Sequence, residues 1–353
     1  MKKPHLGLLA LLMLITGIPS FSQDGGPFNF YINFAGAYQL GNGDENGVTA
    51  PNAAFKGRYL RMECKGNIGD NLYYRFRQDL NSGFRKGSLD GMGKSINMMY
   101  VGYKWNEHFA VEAGKTCQHW GGFDYDENPL YIYQYSDYVD HLDIFFMGVD
   151  FYWRPSPKHE FVFELTNPSS DLLPVKYPVN ALINWNANLL DGTVQLRCAV
   201  GGMTQAEGLW GKLINGGIRF SYPKFQWYVD TMFEKDGVDR VGIATADLGA
   251  AALESLGETL YNSNIVKCFW QFAPGWNLVA KGSWDGVYTD GGGHYRDGLM
   301  GLCCLEYYPV EGQDLRFFAA LTGHRVIFHG AGLPDSFNAG RAEVGLIYRI
   351  KVH

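Results

Sequence analysis

Beyond its first two dozen residues the chain has no run of eighteen consecutive apolar residues, so none of it is suited to cross a bilayer as a helix. Charge is scarce, at 19% Asp, Glu, Lys and Arg, and basic charge is scarcer: 30 Lys and Arg against 36 Asp and Glu leave a net charge of -6. A nucleic-acid binder, whose affinity rests on a basic face, is thereby excluded. Six cysteines show no CxxC spacing, so no structural metal site is indicated. Neither HExxH nor GxSxG occurs, and the nine histidines are scattered. No catalytic set emerges, and the chain is read as not an enzyme.

Glycine and aromatic residues are abundant, with 45 Gly, 23 Phe, 22 Tyr and 9 Trp in 353 residues. At the N-terminus Lys2 and Lys3 precede an apolar run from Leu6 to Ile18, and Ser20-Phe21-Ser22 places small residues at the -3 and -1 positions of a cleavage site. The expectation is a secretory leader over 1–22 and one domain over 23–353. Thirteen apolar residues are too few for a spanning helix, which needs about 20.

Alternation with a period of two runs through the rest of the chain. In Arg61-Met62-Glu63-Cys64-Lys65 and Tyr73-Tyr74-Arg75-Phe76-Arg77 the charges take odd numbers and apolar side chains the even ones. Glu160, Glu164 and Thr166 alternate with Phe161, Phe163 and Leu165, and Arg341, Glu343, Arg349 and Lys351 with Ala342, Val344, Leu346 and Ile350. Sixteen such segments follow one another from 28–40 to 340–352, including 96–104, 109–117, 263–273, 296–308 and 314–328. The segment 296–308 is irregular, because Leu302, Cys303, Cys304 and Leu305 break its alternation.

Short connections alternate with long ones. The short ones include Asn67-Ile68-Gly69-Asp70, Trp105-Asn106-Glu107-His108, Pro223-Lys224, and Asp191-Gly192, read as a two-residue hairpin turn. This rhythm predicts an all-β, up-and-down antiparallel transmembrane barrel of about sixteen strands, with an even count bringing both termini to the short-turn side. A secreted soluble β-protein that binds glycans through Trp and Tyr platforms would alternate in the same way. Segments of ten or more residues exceed the strands usual in soluble domains. Aromatic residues at segment ends (Trp153, Tyr222, Trp227, Trp276, Tyr307, Tyr308) suit interfacial girdles. Cys64, Cys198 and Cys268 take the apolar parity, which argues for small hydrophobes rather than disulfides.

The run Phe109 to Ala113-Gly114-Lys115 and Trp120-Gly121-Gly122-Phe123-Asp124-Tyr125-Asp126, followed by Tyr133, Tyr135-Ser136-Asp137 and Gly148-Val149-Asp150, resembles the fifth strand, third outer loop and sixth strand of the phosphate-selective porin O/P family. The resemblance implies a sixteen-stranded outer-membrane porin, often a homotrimer, whose third loop folds into the channel and narrows it.

That loop, 118–143, carries Asp124, Asp126, Glu127, Asp137, Asp140 and Asp143, with His119 and His141 and no Lys or Arg. A phosphate pore needs cations at its narrowest ring, so phosphate selectivity is not expected. Lumen parity collects Arg61, Arg75, Arg77, Arg341, Arg349 and Lys351 on neighbouring strands as a basic wall, with Glu63, Asp79 and Glu343 among them. The expectation is an acidic loop facing this wall across the bore, and neutralising Asp124, Asp126 and Glu127 should then lower cation preference without loss of stability.

His119 and His141 with their neighbouring carboxylates lack a repeated ligand spacing, so no metal and no cofactor is called. Asn42, Asp44, Asn46 and Gly47 open like a calcium loop but place Ala53 where the bidentate Glu belongs, and Gly291-Gly292-Gly293 lacks a following helix start. Leu248, Ala252, Leu256 and Leu260 show helical spacing inside the long loop 236–262. The reading is a porin of a Gram-negative-type outer membrane, in contact with lipid, that passes small hydrophilic solutes or ions by diffusion. The alternatives are a plugged barrel acting as adhesin or receptor, and the soluble glycan binder.

Overall fold

The computed structural model describes residues 26–42, 52–82, 90, 92–168, 176–248, 257–289, 293–330 and 333–352. Sixteen antiparallel strands form one closed barrel in chain order, β1 (Asn29–Asn42) pairing with β16 (Phe337–Lys351) to complete the circle. The strands between are β2 (Asn52–Ile68), β3 (Leu72–Asp79), β4 (Ile96–Lys104), β5 (Phe109–Cys117), β6 (Phe145–Ser156), β7 (His159–Thr166) and β8 (Asn180–Leu189). The second half continues with β9 (Val194–Ala206), β10 (Leu209–Ser221), β11 (Phe225–Asp236), β12 (Thr259–Ala273), β13 (Trp276–Thr289), β14 (Gly293–Tyr307) and β15 (Asp314–Phe328). Full closure gives every strand two hydrogen-bonded neighbours, which is what a lipid environment demands of a sheet.

Sequence parity sets which side of the wall each residue takes. Val101, Val149, Leu165, Ile183, Val200, Ile214, Leu321 and Val344 stand exposed on the outer face. The residues between them, such as Glu112, Asp150, Glu164, Asn184, Asp230 and Lys281, are buried on the inner face. An apolar exterior with a polar interior inverts the arrangement of a soluble sandwich and matches a membrane barrel. Ring stacks such as Trp153 on Phe161 (5.3 Å), Phe220 on Trp227 (4.6 Å) and Trp276 on Tyr307 (4.5 Å) gather beside the short turns, where one interfacial girdle belongs. Tyr308 leaves this girdle, since its hydroxyl accepts a hydrogen bond from Arg316 at 3.0 Å.

Strands 96–104, 109–117 and 314–328 fall where the alternation puts them, while β12 begins four residues earlier than the 263–273 pattern indicates. The turn at Asp191-Gly192 is wider than two residues. Leu189 pairs with Val194 as the last rung, and Leu190 and Asp191 both take positive φ (49° and 53°). All six cysteines are free thiols.

β14 accounts for its own irregularity. Leu302 and Cys304 are inward and buried, packed in an apolar cluster with Leu130, Tyr133, Val279, Met300, Phe318 and Ile347. Alternation fails there because the inner face meets apolar side chains from residues 118–143 rather than water.

Candidate functional site: the segment 118–143 and the inner wall

Between β5 and β6 the chain forms two short helices, α1 (Phe123–Asp126) and α2 (Asp137–His141), with a 3-10 turn at Pro129–Tyr131 between them. Gly121 (φ 75°) and Gly122 (φ 106°) start this path in a backbone region that disfavours side chains. A Cβ on Gly121 would stand 2.8 Å from the Ala199 backbone nitrogen, and one on Gly122 2.6 Å from Met232 Cε. These glycines let the segment lie directly on β9 and β11. Ser136 caps α2 by accepting from the Val139 N–H at 3.3 Å, and Asn128 serves the 3-10 turn by accepting from Leu130 N at 3.1 Å.

Carboxylates of the wall do the rest of the capping. Asp230 on β11 accepts from the N–H groups of Phe123 (2.8 Å) and Asp124 (2.7 Å), and Asp285 on β13 from those of Asp137 (3.1 Å) and Tyr138 (3.4 Å). Carbonyls along the segment meet donors from the wall: Asn184 to His119 O (3.2 Å), Asn215 to Trp120 O (2.7 Å), Lys267 to Tyr131 O (3.1 Å), Arg58 to Tyr133 O (2.7 Å) and Lys281 to Gln134 O (2.7 Å). Buried irregular backbone has to find such partners, and here side chains of strands distant in sequence supply them. Trp120, Phe123, Tyr125 and Tyr138 are nearly fully buried against β8 to β13.

The segment's carboxylates are matched to cations of the wall. Asp124, fully buried, pairs with Lys281 at 2.7 Å and accepts from Tyr228 Oη at 2.8 Å. Asp126 pairs with Arg197 on β9, and Glu127 with Lys267 on β12. Asp137 meets Arg296 on β14 (2.8 Å) and His324 on β15 (3.0 Å). Burial alone would raise the Asp137 carboxyl, but the hydrogen bond from His324 and the charge of Arg296 outweigh it and bring it down to about 2. Asp143 lies 3.6 Å from Lys94 with both side chains about half exposed, and Asp140 is exposed. Burial likewise pushes the Tyr138 phenol well above its ordinary range, helped by the Glu234 carboxylate that accepts its hydrogen bond at 2.5 Å.

These contacts correct two expectations. The partners of Asp124, Asp126, Glu127 and Asp137 are on β9 to β15, not on the wall of Arg61, Arg75, Arg77, Arg341, Arg349 and Lys351. Asp124 is also a buried anchor, so its neutralisation carries a cost in stability.

The basic wall forms its own network. Arg61 pairs with Asp79; Glu63 takes Arg75 at 2.6 Å and Arg349 at 3.7 Å; Glu343 takes Arg341 at 3.1 Å and Arg58 at 3.4 Å. The Arg77 guanidinium lies 5.1 Å from the Phe145 ring centre, and Arg349 and Lys351 stand 4.3 and 5.9 Å from the Tyr31 ring. Three carboxylates thus stand among six of the expected cations and Arg58 besides. Arg75, Arg341 and Arg349 keep 21 to 26% of their side chains exposed.

Arg58 escapes a parity reading for a structural reason. Ala35 pairs with Tyr59 and Gly36 with Gly57, so Arg58 is the extra residue of a β-bulge. The bulge brings it onto the inner face, where it contacts both Glu343 and Tyr133 O. Lys267, Lys281, Arg296 and Arg316, by contrast, do carry a sequence signal, since each sits on the inward parity of its strand.

His119 and His141 do not come together. His141 is exposed, with Nδ1 2.8 Å from Asp137 O, whereas His119 Nε2 lies 3.1 Å from Tyr152 Oη on the wall. The helical spacing from Leu248 to Leu260 is also not one helix: α3 covers Ile243–Leu248, and β12 has begun at Thr259. Most of the calcium-like stretch 42–53, Gly291 and Gly292 lie outside the described residues.

Residues 28–172 match the family model described as phosphate-selective porin O and P. No curated protein sequence matches the chain. Among solved structures it is similar to the DcaP outer membrane channel of Acinetobacter baumannii, with TM-score 0.63 and 11% identity over 94% of this chain and all of that one. It is similar to the trimer form of in-vitro folded OmpT of Vibrio cholerae, with TM-score 0.60 and 12% identity over 93% of this chain and 100% of the other. An anion-selective porin from Comamonas acidovorans also resembles it, with TM-score 0.58 and 11% identity over 92% of this chain and 99% of that one. Residues 28–172 thus carry the match to the phosphate-selective porin O and P model, and the closed sixteen-stranded barrel has the fold of the outer-membrane porins that it resembles.

Proposed function

We propose that this porin is a passive outer-membrane channel for small hydrophilic solutes, that it favours anions weakly, and that residues 118–143 set its narrowest section. The observation that carries the charge preference is the unequal pairing inside the barrel. Four of the six carboxylates of 118–143 are met by cations of β9 to β15, while the wall around Arg61, Arg75, Arg77, Arg341, Arg349 and Lys351 has more cations than carboxylates. A paired carboxylate beside its cation contributes little net field, so the excess cations of the other wall determine the sign felt by a passing ion. Guanidinium groups held by partial pairing offer a series of weak sites rather than one deep trap, which is the condition for conduction. Nothing in this arrangement forms a phosphate cage among the described residues.

No cofactor enters this reading, and a channel rather than an enzyme is what the family match supports. We further propose a homotrimer, in line with the trimer form described for OmpT, and export by cleavage after Ser22. Reconstitution in a planar bilayer tests the channel reading: stepwise conductance increments are expected. A folded barrel that inserts and passes no current would favour the adhesin or receptor alternative instead.

A further inference from the structure

The register of β5, β6 and β7 places Glu112 opposite Asp150 and Asp150 opposite Glu164. Directly opposed residues of antiparallel strands bring their Cβ atoms to about 5 Å, where like charges repel. All three carboxylates point inward and are at most 9% exposed, Asp150 and Glu164 at 0 and 1%. Glu112 is satisfied by the hydroxyls of Tyr73 and Tyr152, each at 3.0 Å. Asp150 is not: the Thr116 hydroxyl and the Gln118 amide stand beside Asp150 and Glu164, but neither Asp150 oxygen nor Glu164 Oε1 receives a hydrogen bond of good geometry. The imidazole that approaches them is His119, whose Nε2 is 3.1 Å from Tyr152 Oη and 4.0 Å from Asp150 Oδ2.

His119 is aimed at this place by the fold. Its backbone N–H donates to Glu164 Oε2 (2.9 Å), its carbonyl accepts from Asn184 (3.2 Å), and its ring stands edge-on to Tyr152 at 5.7 Å. Ligand atoms of His119, Asp150 and Glu164 all lie within 4.8 Å of one another. An ion bonded at about 2.0 to 2.2 Å holds its ligand atoms roughly 3 to 3.5 Å apart, which small rotamer changes reach from this starting geometry.

We propose that His119 Nε2, Asp150 and Glu164 bind one divalent cation of the class served by mixed carboxylate and imidazole ligands, such as Mn2+ or Zn2+. Two buried carboxylates balance the two charges of the ion, and the ion takes oxygens to which the fold offers no well-formed hydrogen bond. Glu112, holding Tyr152, stands behind the site as an orienting group. Bound there, the ion would fasten the start of the segment 118–143 to β6 and β7.

The test uses the full mature chain refolded in detergent, with folding checked by heat-modifiable gel migration and trace metal removed with EDTA. A second His/Asp set, His294 and Asp297 on β14 with His329 just after β15, could also take up metal, so all measurements are made in a H294Q/H329Q background. Titration calorimetry with MnCl2 and separately with ZnCl2 is expected to show one ion per chain. D150N/E164Q should abolish that binding; the amide that replaces the Glu164 carboxylate still offers an acceptor to the His119 N–H, so the variant keeps the local fold. H119Q should weaken binding while sparing part of it. Folded protein that takes up neither metal, or a D150N/E164Q variant that binds as well as its parent, would overturn the proposal. Loss of binding in a variant that also fails the gel-shift check is decided by H119Q, whose unchanged affinity would equally overturn it.

Discussion

Changing Asp124 to Leu removes one half of a buried ion pair that ties residues 118–143 to β13. Lys281 would keep the Gln134 carbonyl at 2.7 Å but lose its carboxylate, with its own side chain only 2% exposed. Breaking such a pair from one side costs about 3 to 5 kcal/mol, because an uncompensated charge stays buried. Lys281→Met is expected to cost a similar amount from the other side. The double variant removes both buried charges but leaves the Tyr228 hydroxyl and the Gln134 carbonyl without these partners, so its cost should fall to about 2 kcal/mol, below either single change. At about 1.4 kcal/mol per factor of ten, either single change raises the released population of the segment by roughly a hundredfold to a few thousandfold. Limited chymotrypsin digestion of the folded barrel reads this, since the segment is rich in Tyr, Phe and Trp and cleavage of a transiently opened region follows its population. Single variants cut at the parent rate, or a double variant cut as fast as the singles, would refute the pairing argument.

Gly122→Ala places a Cβ 2.6 Å from Met232 Cε at a φ of 106°, and should destabilise the segment by about 1 to 3 kcal/mol, read by the same digestion. Asp137, held down to about 2 against an ordinary 3.8, contributes stability that is complete above pH 4 and is lost as pH falls through about 2. Digestion with an acid-active protease should therefore accelerate between pH 4 and pH 2, and Asp137→Asn should flatten that profile. Leu321→Lys puts a charge on the exposed outer face of β15, midway along the strand, and should cost about 2 to 4 kcal/mol, lowering the refolded fraction in lipid vesicles. An equal substitution at the inward Thr322 should be far milder.

The barrel was legible because its determinants are local. A two-residue period gives each strand its faces, and alternating short connections give the topology, so even β5 and β15 end where their patterns end. Where the pattern faltered, as at Leu302 and Cys304, the cause was contact with Leu130 and Tyr133, more than 160 residues away in sequence. The composition of 118–143 was equally visible, but not its orientation. Asp124 and Lys281 are 157 residues apart, and Glu127 and Lys267 are 140 apart, distances over which no periodicity speaks. Arg58 was hidden for a different reason: one extra residue in β2 reverses the parity at that point. His119 was noticed as a ligand type, yet its companions Asp150 and Glu164 come from β6 and β7 rather than from its own loop.

The account's central claim concerns which charges of the inner surface govern the passing ion. Reversal potential in a KCl gradient, measured for the parent channel and for R75Q/R349Q and D126N/E127Q, tests it most directly. The parent should favour chloride, R75Q/R349Q should move the potential toward potassium, and D126N/E127Q should move it less and in the opposite sense. A parent channel that favours potassium, with its preference abolished by D126N/E127Q and untouched by R75Q/R349Q, would contradict the account and return selectivity to the acidic segment.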